Sequence, residues 1–157
     1  MPAPHIAYFA YGSNLDDKQM RHRCPDHEVV GPASLGNYRL SFQGNSDRWR
    51  GAVATVLPAT DQVVWGVLFR LSDDDLRALD KYEDYKGPAH PASLYDRAEV
   101  HVRTTDGAEV SALTYLMRPH AGGKPSRLYL DTITKGAAAH GIPRAYIARL
   151  AATQTAD

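Results

Sequence analysis

The sequence predicts an α+β fold: a mixed β-sheet curled into a small barrel, with helices flanking it. Three observations carry this expectation. Apolar segments with strand character dominate the chain. The helical segments stand apart from them, one in the middle and two near the C-terminus. No regular β-α-β alternation appears. With 157 residues and no repeat, linker or low-complexity block, the chain reads as one domain spanning 1–157, large enough to bury a core.

The elements follow in order. Residues 6–11 are an apolar, aromatic run that reads as a buried strand, and 15–23 read as a short helix stopping before Pro25. Tyr38, Leu40 and Phe42 alternate with Arg39 and Ser41, a strand period. Two apolar strands are expected at 52–57 and 63–69, separated by a turn at Pro58-Ala59-Thr60-Asp61. Ser72 precedes Asp75 by three residues in an acidic stretch, which marks the capped start of a central helix. Residues 97–103 and 109–117 form a hairpin around Asp106-Gly107, a dipeptide that accepts positive φ. Helices are expected at 126–139 and 144–152, parted by Gly141 and Pro143.

Composition narrows the function. Eighteen basic residues balance eighteen acidic ones, so no overall field favours nucleic acid or an anionic membrane. The longest apolar run, 63–68, is too short to span a bilayer, and no membrane partner is expected. Residues 1–5 carry neither a basic nor an apolar leader segment, so no secretory signal is expected. Cys24 is the only cysteine; no intrachain disulfide is possible, and a cytoplasmic location is expected. Arg21, His22 and Arg23 beside Cys24 would favour a thiolate, but a lone cysteine without a partner motif reads as structural. His22 and His27 lack a zinc spacing, and no metal is expected.

The most informative segment is Tyr8-Phe9-Ala10-Tyr11-Gly12-Ser13-Asn14-Leu15. An apolar strand stops at Gly-Ser-Asn and a polar helix follows, so unpaired backbone N–H groups face outward at the turn. Such a turn can hold an anion. Neither common phosphate-loop pattern is present, which favours a carboxylate. The alternative is an ordinary strand-to-helix turn capped by Ser13 or Asn14.

On the central helix, Leu76, Leu79 and Glu83 stand at i, i+3 and i+7 and share a face. If the leucines pack inward, Glu83 goes with them, while Arg77, Asp80, Lys81 and Asp84 point elsewhere. Burial would raise its pKa toward the range a general acid/base needs. Otherwise Glu83 turns out to solvent or pairs with a basic side chain. Nine tyrosines against three phenylalanines are also unusual: Tyr8, Tyr11, Tyr82, Tyr95, Tyr115 and Tyr129 lie in apolar or turn contexts. Their hydroxyls either converge on a polar pocket or each bond nearby backbone.

Taken with Leu79-Asp80-Lys81-Tyr82-Glu83, the Tyr11–Leu15 motif resembles the γ-glutamylcyclotransferases. The likeness continues in order through Gly44-Asn45-Ser46, Trp49-Arg50-Gly51-Ala52-Val53-Ala54-Thr55, Val64-Trp65-Gly66-Val67, Tyr115-Leu116-Met117, Pro125-Ser126-Arg127-Leu128-Tyr129 and Gly141-Ile142-Pro143. The resemblance implies a small β-barrel with a cavity at its mouth and Glu83 as catalytic acid/base. It implies substrate binding by Tyr11, Gly12, Ser13, Asn14 and Leu15, with Tyr95, Tyr115 and Tyr129 lining the pocket. It also implies 5-oxoproline release from a small γ-glutamyl compound, without cofactor, in glutathione metabolism. The chain departs from the family between Glu83 and Tyr95, where a longer Pro- and Gly-rich stretch, Asp84 to Pro91, is expected as a loop near the entrance. Asp84 stands where the family often has glycine.

Three other functions stay open. Ser13 could serve as a hydrolase nucleophile, although Gly-x-Ser-x-Gly is missing. The fold could be a non-catalytic module binding a carboxylated metabolite. A biosynthetic enzyme could strip a γ-glutamyl protecting group. Among γ-glutamyl substrates, the resemblance implies the amino acid type, since Asn14 follows Ser13 where glutathione-specific relatives more often have leucine and γ-glutamylamine enzymes differ around the turn. The chain is expected to act as a monomer or homodimer.

Overall fold

The computed structural model describes residues 3–157; Met1 and Pro2, the start of the stretch read above for a leader, lie outside them. Five strands close into a barrel in the order β1-β3-β2-β4-β5. They are β1 (Ile6–Ala10), β2 (Glu28–Ser46), β3 (Gly51–Leu71), β4 (Tyr95–Thr104) and β5 (Glu109–Met117). Neighbours are antiparallel except β1 and β5, whose parallel contact at Tyr8 and Leu113 closes the barrel and makes it mixed. Four α-helices flank it: α1 (Asp17–Arg23), α2 (Asp73–Tyr82), α3 (Arg127–Ala139) and α4 (Arg144–Ala151). The expected α+β barrel is the observed fold.

Two local expectations are corrected. No reversal occurs at 58–61: β3 runs through as one strand. Its pairing with β2 jumps from Gly36↔Val63 to Tyr38↔Pro58, so Asn37 alone faces the four residues 59–62. Proline and a left-handed Asp61 interrupt the ladder, as turn residues do. The bulge is bridged instead by Asp61 N–H donating to Asn37 Oδ1 (3.1 Å), so the chain bends without turning back. The strand from Tyr38 to Phe42 is likewise part of the longer β2. The second correction concerns the first helix. Residues Ser13–Leu15 make a single 3₁₀ turn, and α1 is capped by Asp16, which accepts from Gln19 N–H (2.9 Å), not by Ser13 or Asn14.

Inside, Phe9, Phe69, Leu15, Met20, Leu71, Leu79 and Ile133 are fully buried, so β1, β3 and the helices share one core. Cys24 belongs to it: its Sγ lies 3.6 Å from the Asp75 carbonyl, and burial, then the Asp75 charge, push the thiol up to about 12. It is an inert packing residue, as its lone occurrence indicated.

The capping box of α2 is complete. Ser72 Oγ accepts from Asp75 N–H (3.1 Å) and Asp75 Oδ2 accepts from Ser72 N–H (3.3 Å). Helix α3 carries the 3₁₀ turn on its back at Gly136, where an added Cβ would sit 2.4 Å from the Leu15 carbonyl oxygen. Helix propensity alone would make alanine better there by about 1 kcal/mol. The contact reverses the sign, because backbone cannot yield as a side-chain tip can. Gly136→Ala is expected to lower stability by about 2 kcal/mol or more. Chemical denaturation measures this; a stabilised variant would show that helix and turn do not meet.

Candidate active site

The Gly12–Asn14 turn at the end of β1 and the end of α2 meet at a cavity of about 310 Å³ at the barrel mouth. Glu83 sits there as the residue that ends α2, its N–H still bonded to the Leu79 carbonyl (2.9 Å). Leu79 beneath it is fully buried, so the shared face does carry the glutamate inward. The residue is half-buried because its carboxyl opens onto the cavity. Asn14 Nδ2 donates to its Oε1 (3.4 Å). Desolvation pushes the Glu83 carboxyl up to about 7, against smaller downward pulls from Arg23 and the Asn14 bond.

The turn residues divide. Gly12, Ser13 and Asn14 line the cavity. Leu15 does not: its side chain is in the core, and its N–H donates to the Gly12 carbonyl (3.0 Å), so it offers a ligand nothing. Asp16 N–H is bonded to the Ser13 carbonyl in the same way (3.0 Å). The amides left to face an anion are those that open the turn, Gly12 to Asn14. Gln19 steadies them by donating to Ser13 Oγ (2.8 Å) and Asn14 Oδ1 (2.9 Å). Ser13 has no histidine partner among the described residues, and the hydrolase arrangement is not built here.

Five of the tyrosines singled out bond backbone or a fixed side chain while lining the cavity with their rings. Tyr95 donates to the Ala54 carbonyl (3.1 Å), and Tyr129 accepts from Ala54 N–H (2.8 Å). Tyr11 donates to the Tyr115 carbonyl, and Tyr115 donates to Asp80 Oδ1 (2.6 Å). Tyr8 accepts from Asn14 Nδ2 (2.9 Å). Burial raises all five phenols above their ordinary value, so they stay neutral. Tyr82 is different: it is exposed at the rim, with the Arg23 guanidinium 4.5 Å from its ring centroid.

Asp80, expected to point elsewhere than Glu83, does not face open water but bonds Tyr115, a tyrosine of the same cavity. Besides Tyr115 it pairs with Arg97 (3.5 Å), tying the last turn of α2 to β4 and β5. After Glu83, Asp84 adopts φ 52°, the left-handed conformation that glycine takes most easily and aspartate tolerates. That is the physical reason a glycine suits the position. Residues 84–91 do form a loop, yet none of them lines the cavity; the wall there is Leu94 and Tyr95.

Sequence reasoning assigned none of Arg23, Arg48, Trp49 and His120 to the substrate site, yet all four line the cavity. Arg23 comes from the last turn of α1, where a basic residue reads as ordinary helix-end chemistry. Arg48 and Trp49 lie in the turn between β2 and β3, and only the fold folds that turn over the mouth. Among the described residues, no His, Cys, Asp and Glu group could hold a metal, and no helix is long and apolar enough to cross a membrane.

Comparison with known proteins agrees along nearly the whole chain. The AIG2-like family matches residues 63–150. The γ-glutamylcyclotransferase of Mus musculus is 34% identical over 151 residues, covering 94% of this chain and 78% of the mouse protein. That of Homo sapiens is 34% identical over 154 residues, covering 96% and 79%. A solved γ-glutamyl cyclotransferase structure superposes with a TM-score of 0.91 at 31% identity, covering 97% of this chain and 89% of its own. With this likeness beside a glutamate and a Gly-Ser-Asn turn on one cavity, the chain belongs to the γ-glutamylcyclotransferase family.

Proposed function

We propose that this protein releases 5-oxoproline and a free amine from γ-glutamyl amino acids, with Glu83 as the proton carrier. One observation supports it above the others: a carboxyl with proton affinity near neutrality stands beside an anion-ready turn in one small cavity. The substrate brings its own nucleophile. Its α-amine can reach the γ-carbonyl to close a five-membered ring, and well-oriented intramolecular attack reaches effective molarities of about 10⁵ M or more. The barrier left is the proton on the ammonium.

In the proposed sequence the Gly12–Asn14 amides hold the substrate α-carboxylate. Ionised Glu83 takes one proton from the ammonium. The ring C–N bond forms, and Glu83 gives its proton to the departing nitrogen as the amide C–N bond breaks; the ring nitrogen then sheds its second proton through the same carboxylate to the freed amine, which leaves as an ammonium. Tyr11, Tyr95, Tyr115 and Tyr129 shape the walls, and backbone N–H groups or the Tyr8 and Tyr129 hydroxyls, which accept rather than donate their protein hydrogen bonds, face the developing oxyanion. No metal or cofactor is required, because nucleophile and electrophile share one molecule. Arg48, exposed at the rim and without an acidic partner among the described residues, suits a leaving amine that carries its own carboxylate. A monomer or a homodimer would serve, in the cytoplasm where Cys24 stays a thiol. The domain so proposed spans 1–157 and needs no nucleic acid or membrane.

Incubation with γ-glutamyl dipeptides, glutathione and γ-glutamyl amines, with 5-oxoproline as readout, tests the activity. Dipeptides are expected to react fastest. Glu83→Gln is expected to fold normally and lose about 10²-fold or more in kcat; near-full turnover would refute the role.

Stability offers a second check. Glu83 binds its proton more tightly in the folded chain (about 7) than at its ordinary value of 4.5. Between those values the folded state keeps a proton the unfolded state has lost, so stability falls as pH rises through the window. Glu83→Gln cannot titrate. Its stability relative to wild type is expected to grow from pH 5 to pH 8 by roughly 2 kcal/mol. A difference that stays constant with pH would show that the carboxyl is not desolvated.

A further inference from the structure

Arg23 is a buried cation with no carboxylate on it. The residue is only 7% exposed, and it forms no ion pair among the described residues. Its Nη1 donates to Asn14 Oδ1 (3.1 Å), and its buried Nε has no hydrogen-bond partner among the described residues. An isolated guanidinium in such a place is costly, so its position calls for a use. Burial lowers its own proton affinity, and the acidic group that most strongly restores it is Glu83.

Asn14 connects the two. A side-chain amide has an acceptor end and a donor end. Its Oδ1 receives donors from both Arg23 and Gln19, which fixes the orientation of the amide. The Nδ2 end must then face Tyr8 Oη (2.9 Å) and Glu83 Oε1 (3.4 Å). A flipped amide would set donor against donor on one side and leave Glu83 facing an acceptor. In the observed orientation Glu83 meets an N–H, which favours the ionised form.

We propose that Arg23 is a positioning residue: through Asn14 it fixes the donor presented to Glu83, and with its own charge it keeps that carboxyl available as an anion. This deepens the function above, since it rests on Glu83 as the proton carrier. The other groups facing Glu83 leave Arg23 this role. Tyr8 and Tyr11 from β1 and its turn, Tyr95 from β4, Tyr115 from β5 and Tyr129 from α3 stay neutral. Tyr82 lies under the guanidinium itself. Arg48, from the β2–β3 turn, is exposed and therefore screened. His120, after β5, is a titratable group on the same cavity and has to be separated by experiment.

The decisive measurement is a carboxyl-carbon NMR titration of Glu83, which needs no turnover. In Arg23→Met the Glu83 midpoint is expected to rise by about one pH unit, a tenfold loss of anion at a given pH below it. Arg23→Gln, which keeps a donor for Asn14, should show a smaller rise, and Arg23→Lys should restore most of the wild-type midpoint. The same titrations in a His120→Gln background remove that group's contribution. If the chain turns over γ-glutamyl dipeptides, the acid limb of kcat/KM should move up by the same amount, with the loss shrinking toward pH 9. An unchanged Glu83 midpoint in folded Arg23→Met or Arg23→Gln overturns the proposal. So does an activity loss equal at all pH values, which a packing role alone would give. Failure of every γ-glutamyl substrate with a shifted midpoint would instead strike the proposed activity and leave the Arg23–Glu83 coupling standing.

Discussion

The site depends on one costly arrangement: a glutamate held where water cannot fully solvate it, with a single amide donor and no direct counter-ion. Desolvation dominates its proton affinity, and the pulls from Arg23 and Asn14 only moderate it. For the chemistry proposed above, a direct ion pair would leave a carboxylate too weak as a base to take a proton from an amine and too weakly protonated to return one. The spacing through Asn14 keeps the carboxyl between those limits.

Holding that side chain in place takes much of the fold. Helix α2 is anchored at its start by the Ser72–Asp75 box and at its end by Asp80, which joins Tyr115 and Arg97. The opposing turn is gripped from behind by α3, close enough that only glycine fits at Gly136. Tyr95 and Tyr129 both bond the backbone of Ala54, so β4 and α3 are fixed to β3 across the cavity. The tyrosines therefore act first as struts. Their hydroxyls are engaged with the protein, and the cavity keeps its shape through rigid rings with raised proton affinity.

Much of this was legible in the chain. Strand and helix periodicity, the capping box and the Asp106-Gly107 turn report local preferences that tertiary packing left intact. Where local preference and long-range pairing disagreed, pairing won. Pro58 and Asp61 carry turn chemistry, yet the barrel needs one strand long enough to pair with β1 at one end and β2 along its length, so the turn became a bulge. Likewise Ser13 and Asn14 are good caps, but the 3₁₀ turn moved the helix start to Asp16 and left Asn14 free to join Arg23 and Glu83.

The sequence alone determined the fold class, the inward face of α2 and the turn that ends β1, because each is written in residues at most a few positions apart. It also determined that Cys24 has no partner. The tertiary structure decided which of those features share a cavity. Arg23 lies 60 positions from Glu83, and Ala54 lies far from both Tyr95 and Tyr129 along the chain. Nothing local marks such residues as neighbours. Their effect on proton affinity arises only from burial and distance, which exist once the barrel has closed.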